Sequence, residues 1–211
     1  MELLYIILGW LLGLLSPLII NQINKSYSKK ELFDSIKTEI KDCQIRVILV
    51  AELLNFRFGK YDKKHLKWCL SYLQDYQGTE PTEDIIKQIN RFIKYNDEDL
   101  KNAIALKRQE KKESNLNLKK FHLPFLDSKI SEISFFSIEL QNIIYEIISK
   151  LQMINEEIDL GVRYFYMTFD SSISPENHNI IKNNLIKNYI TLKPQLVILV
   201  KKMDNCLNYK I

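Results

Sequence analysis

The chain has 211 residues, 46% of them hydrophobic and 27% charged, with a formal net charge of +4. That length suits one domain with a full core plus a short accessory segment. Five glycines, no Asn-Gly or Asp-Gly pair and three scattered cysteines exclude a turn-rich β fold, a glycine-loop phosphate binder and a disulfide-stapled scaffold.

Taken from the N-terminus, Leu3 to Ile20 contains no charged side chain. Built as a helix at 1.5 Å per residue, that run is about 27 Å long, close to the hydrocarbon thickness of a bilayer. No Lys or Arg precedes it and no small-x-small cleavage site follows, which argues against a removable signal peptide. Lys25, Lys29 and Lys30 lie behind the run and Glu2 alone lies ahead of it. The positive-inside rule then places Met1 outside and the remainder in the cytoplasm. The expected organisation is a transmembrane anchor over 1–25 and a cytoplasmic helical domain over 26–211.

Gly9 and Gly13 form a Gly-x-x-x-Gly pair, and Ser16, Pro17 and Ile20 continue that side of the helix. Small residues four apart let two helices approach closely in lipid, although a lone tether accounts for the same pattern. Trp10 sits in mid-span, where an aromatic ring suits a helix-packing contact at least as well as lipid. Pro17 can loosen the cytoplasmic end of the span without destroying it.

Beyond the anchor, Lys, Leu, Ile, Asn and Glu recur at helical spacing, so the fold class is all-α: one N-terminal transmembrane helix followed by a long-helix bundle. The first body helix covers 28–58 and runs on, or nearly so, from the anchor. Phe33, Ile36, Ile40, Cys43, Val47, Val50 and Leu54 keep a heptad rhythm that fits bundle packing within one subunit or an oligomeric coiled coil. Gly59 is its stop. Asp62 caps a helix from Lys63 to about Gln77, closed by Gly78. His65 and Cys69 lie one turn apart on it, but no third ligand is near in sequence, so no metal site and no cofactor is expected. Ile85 to Tyr95 carries a further helix, and Asn96 caps another from Glu98 to about Lys112.

Between Lys101 and His122 stand Lys101, Lys107, Arg108, Lys111, Lys112, Lys119 and Lys120, opposed only by Glu110 and Glu113. The rest of the chain is therefore close to neutral. With Phe121 alongside, these cations make a candidate site for single-stranded nucleic acid, phosphates on the cations and bases on the ring. A solvated helix end, or a patch facing anionic lipid, has the same composition.

The longest helix is expected from Asp127 or Ser128 to about Phe169, with Leu140, Ile144, Ile147, Leu151, Ile154, Ile158 and Phe165 in register. Gly161 kinks it or permits a close crossing. Ser174-Pro175-Glu176 is a helix start, and the final segment is expected to bend or break before Pro194. The cysteines are odd in number and widely spaced, which fits reduced core residues. Catalytic motifs are absent, so an enzyme is not expected.

Two function classes follow: an oligomeric membrane effector whose anchors form a pore, or a tethered scaffold or binding module. The layout, Leu-Leu-Gly-Leu-Leu-Ser-Pro followed by a Lys-rich helix and a bundle, resembles small membrane effectors of bacterial anti-phage defence, most of all the Hailong type. That resemblance implies a tetrameric ion channel in the bacterial inner membrane, controlled by a DNA oligomer that a partner nucleotidyltransferase makes. The resemblance is one of layout and assigns no residue; on the pore reading it is the small-residue face of the anchor that makes Gly9, Gly13, Ser16 and Pro17 the pore or packing residues, with Glu2 around the outer mouth.

Overall fold

A computed structural model describes the backbone of residues 2–59, 61–110 and 116–210, and the side chains of 27–59, 61–109 and 116–210. Among the described residues, seven α-helices and one 3-10 turn follow one another: α1 (Glu2–Phe58), α2 (Lys63–Leu73), α3 (Glu83–Lys94), α4 (Asp97–Glu110), α5 (Pro124–Ser128), the 3-10 turn Ile130–Phe135, α6 (Ile138–Met167) and α7 (Pro175–Leu207). Among the described residues there is no strand, so the body is all-α as expected.

Helix α1 is a single rod of 57 residues, about 85 Å at 1.5 Å per residue. Its length has a plain cause: no glycine or proline interrupts the chain between Leu18 and Phe58. Among the described residues no helix is long and apolar enough to cross a membrane. The anchor expected over 1–25, with Glu2, Gly9, Gly13, Ser16 and Pro17, lies outside the residues whose side chains are described.

The core forms where α7 packs along both α6 and α1. Phe33, Ile36, Ile40, Cys43, Val47 and Leu54 of α1 are buried, as are Leu140, Ile144, Ile147, Leu151, Ile154 and Ile158 of α6. From α7 they meet Leu185, Leu192, Leu196, Leu199, Val200 and Met203. Each such side chain contributes about 1.5–3 kcal/mol by leaving water. Apart from Val50 and Phe165, which are only partly buried, both heptad registers are filled within the chain. Between Cys43 and Phe56 the helix is buried on nearly every side, because α2, α4 and α7 all pack on it. A helix covered all round must pair whatever polar groups it carries. Gln44 donates to Asp204 Oδ1 at 2.7 Å, and Tyr72 donates to Asp204 Oδ2 at 2.6 Å, which ties α1, α2 and α7 together.

The helix starts follow their caps. Asp62 accepts from the His65 N–H at 2.9 Å, Asn96 from Asp99 at 2.8 Å and Ser174 from Asn177 at 3.4 Å. Three expectations need correction. Helix α6 begins at Ile138 rather than at Asp127 or Ser128, because Ser137 caps it, and its 30 residues make it shorter than α7 with 33 and α1 with 57 rather than the longest. Ahead of that cap, α5 is closed off and the 3-10 turn intervenes, and the Phe125 and Leu126 N–H groups donate to Glu39 of α1 at 2.7 and 2.8 Å. Helix α2 stops at Leu73, ahead of Gly78. Helix α7 continues through Pro194 unbroken. Pro194 and Ile190, whose carbonyl loses its partner, both lie on the exposed side, where water can replace the missing bond.

Candidate functional site

The junction of α1 and α2 collects the body's most unusual side chains. Gly59 closes α1, its N–H donating to the Asn55 carbonyl at 2.9 Å. The chain then turns at Tyr61 and enters α2 at the Asp62 cap, so α2 packs back on the end of α1. This return brings His65 and Cys69 against Glu52, a buried acid on the crowded stretch of α1.

The three donor groups touch one another. Glu52 Oε2 lies 2.8 Å from His65 Nε2, and the Cys69 thiol donates to the same oxygen at 3.5 Å. Cys69 Sγ and His65 Nε2 are 3.5 Å apart. The other carboxylate oxygen, Oε1, accepts from the Tyr61 hydroxyl. Cys69 is fully buried, while the Glu52 and His65 side chains keep 11% and 13% exposure. Aromatic rings wall the cluster: Trp68 lies 5.3 Å from the His65 ring, and Phe56 and Phe92 lie 5.5 and 6.1 Å from that of Tyr61.

Burial first, and then the Glu52 charge and its hydrogen bond, push the Cys69 thiol far above its ordinary range, while Lys193 pulls it back in part. The Tyr61 phenol moves up for the same reasons, with Arg108 opposing. Both groups therefore hold their protons at neutral pH and donate to Glu52. Chemically, a carboxylate, an imidazole and a thiol on a rigid frame form either a closed hydrogen-bonded cluster or a set of metal ligands.

Among the described residues of the basic segment, the cations take different partners. Arg108 donates to the Phe56, Gly59 and Asn55 carbonyls at 2.6, 2.7 and 3.4 Å, so it caps the end of α1. Lys107 sits over the Phe92 ring at 5.0 Å. Lys120 pairs with Asp159 at 2.6 Å, and Lys119 is exposed. Lys111 and Lys112 lie outside the described residues. Phe121 needs correction: its ring is buried, and Asn155 holds its backbone N–H and C=O at 2.9 and 2.8 Å, so it cannot offer a stacking face. Its role is to pin the extended segment before α5 onto α6.

Comparison with known protein families, with characterised proteins and with solved structures finds no match for this chain. The cluster was only half visible in the sequence. His65 and Cys69 stand out by spacing, but Glu52 comes from another helix and no local pattern links it to them. A signal did exist: Glu52 is the only acidic residue between Asp42 and Asp62, set in the apolar run Val47 to Leu54.

Proposed function

We propose that the chain is an oligomeric membrane effector of bacterial anti-phage defence, whose N-terminal helices form an ion-conducting pore controlled by the helical body. The observation that carries this reading is the continuity of α1. One helix holds the apolar run at its start and the centre of the body's core at its end. With no glycine or proline between Leu18 and Phe58, a shift of α1 inside the body is delivered to the anchor rather than lost at a hinge.

Self-association has support of its own. Ile138, Tyr145, Met153, Leu160 and Met167 lie exposed on α6, at steps of seven or eight residues. One apolar residue per heptad makes a single exposed stripe, and in this reading a second copy of the chain covers it. In lipid, Gly9 and Gly13 would bring the anchors close. The resemblance favours a tetramer. A path meeting at Gly9, Gly13 and Ser16 has few polar side chains, stays dry and is closed at rest. Opening would bend the rod at Pro17, where a backbone hydrogen bond is missing, and Glu2 around the outer mouth would favour cations. The regulator this reading expects is a single-stranded oligonucleotide made by a partner nucleotidyltransferase. With Phe121 buried, contact would run through phosphates on cations such as Lys101 and Lys119, and would weaken steeply with salt.

The test is membrane potential in cells expressing wild type, Gly13→Leu, or a form lacking residues 1–24. Depolarisation by wild type alone is the expected result. If it never occurs, or persists without the anchor, the tethered scaffold is the better account.

A further inference from the structure

We propose that Glu52, His65 and Cys69 bind a zinc ion between α1 and α2. This inference stands apart from the pore reading and rests only on the geometry of the cluster.

The donor set decides the class of metal. One thiolate, one imidazole and one carboxylate suit a borderline-soft ion such as zinc, whereas calcium and magnesium require mainly oxygen ligands. The spacing agrees. In a tetrahedral zinc centre with bonds of about 2.0–2.3 Å, ligand atoms stand about 3.3–3.6 Å apart. The Cys69–His65 and Cys69–Glu52 separations are each 3.5 Å. Only Glu52 and His65, now in direct contact at 2.8 Å, must part, by roughly half an ångström.

The frame is prepared in other respects. His65 and Cys69 are one turn apart on a helix whose start is fixed by Asp62. Tyr61 holds Glu52 Oε1, which leaves Oε2 as the coordinating oxygen and supplies the outer hydrogen bond that metal-binding carboxylates usually have. The small exposure of Glu52 and His65 gives an ion an entry route, with water as the fourth ligand. Binding releases the Cys69 thiol proton to solvent and puts a doubly charged ion in its place beside Glu52, so the cluster goes from a net charge of minus one to neutral and affinity rises with pH. The consequence is a clamp holding α2 on α1, the helix that also carries the apolar run.

The experiment uses the full chain in detergent, stripped with a chelator and titrated with Co²⁺ and then Zn²⁺. The expected result is one Co²⁺ per chain, with intense visible bands of tetrahedral cobalt and a near-ultraviolet thiolate-to-cobalt band, both erased by Zn²⁺. Cys69→Ser should remove the thiolate band, while a Cys43→Ser, Cys206→Ser double variant keeps it. Glu52→Gln, which can still accept from Tyr61, and His65→Ala should each weaken Co²⁺ binding by at least the roughly hundredfold upper cost of losing an outer-shell partner, since each is a direct ligand. Circular dichroism checks that the variants fold. Two results overturn the proposal: no tetrahedral cobalt spectrum in wild type, which leaves the cluster a hydrogen-bonded one, or a thiolate band that survives Cys69→Ser.

Discussion

Arg108 shows how one side chain can change its meaning between sequence and structure. In the sequence it is one of seven cations, yet in the fold it serves the Asn55, Phe56 and Gly59 carbonyls at the end of α1, where carbonyls run out of helical partners. Its charge also suits the negative end of the helix dipole. Arg108→Ala should therefore lower stability by about 1.5–3 kcal/mol, the scale of hydrogen bonds made by charged groups. Arg108→Lys should restore only part, since a lysine cannot reach three carbonyls with a fixed fork. Denaturant melts check this, and a variant as stable as wild type would remove the capping role. The buried thiols give a pH dependence of known sign. Burial raises Cys43 from 9.0 to about 12 and Cys206 from 9.0 to about 11. Above pH 9 the unfolded thiols ionise while the folded ones keep their protons. The folded state then binds more protons, and stability falls as pH rises towards the folded values. Below that window both states are protonated and the thiols add no slope. The urea midpoint should decline above pH 9, less steeply in Cys43→Ala than in wild type; equal slopes would contradict it.

At the scale of elements, α6 and α7 meet through Gly161. A Cβ there would stand 2.8 Å from Asn188 Oδ1, on a side chain that is itself held by the Glu157 carbonyl at 3.1 Å and its carboxylate at 2.8 Å. Of the two expectations for this glycine, the close crossing is the one these distances support. Gly161→Leu should push the helices apart and cost about 1–3 kcal/mol, the usual penalty of overpacking. A thermal melt unchanged from wild type would show that the crossing has room to spare. Much of this level was legible in the sequence, because helix starts are written in single polar residues and inner faces in apolar spacing. Asp62, Asn96 and Ser174 cap as their local sequence predicts. The start of α6 was less visible, since Ile130, Ile133 and Phe136 continue an apolar rhythm through the 3-10 turn, and only the cap at Ser137 separates the two. Pro194 misled on the break for a different reason: packing along both neighbours keeps α7 continuous, and tertiary contacts override the local penalty. The candidate site was legible only in pieces. The pair on α2 is local, but its meeting with Glu52 depends on the turn after Gly59. The basic segment read as one patch because sequence proximity carries no information on direction, and the fold sends Arg108, Lys120 and Phe121 to three different tasks.

For the whole molecule, the central claim is that α1 is one rod joining the apolar run to the body, so that what happens at α2 and α7 reaches residues 1–25. Each part contributes. Core packing grips the second half of α1, Arg108 and Gly59 finish its end, and the Glu52 cluster fastens α2 to it. A break near residues 21–30 would leave all these contacts intact and still uncouple the two ends. The most direct measurement is the distance between spin labels at Asn21→Cys and Thr38→Cys in the full chain in a bilayer, diluted with unlabelled protein. The native cysteines are buried and should not take label. A continuous helix predicts one narrow distribution centred near about 26 Å between backbone positions. A broad distribution, or a distinctly shorter mean, would contradict the rod and with it the proposed control of the anchor by the body.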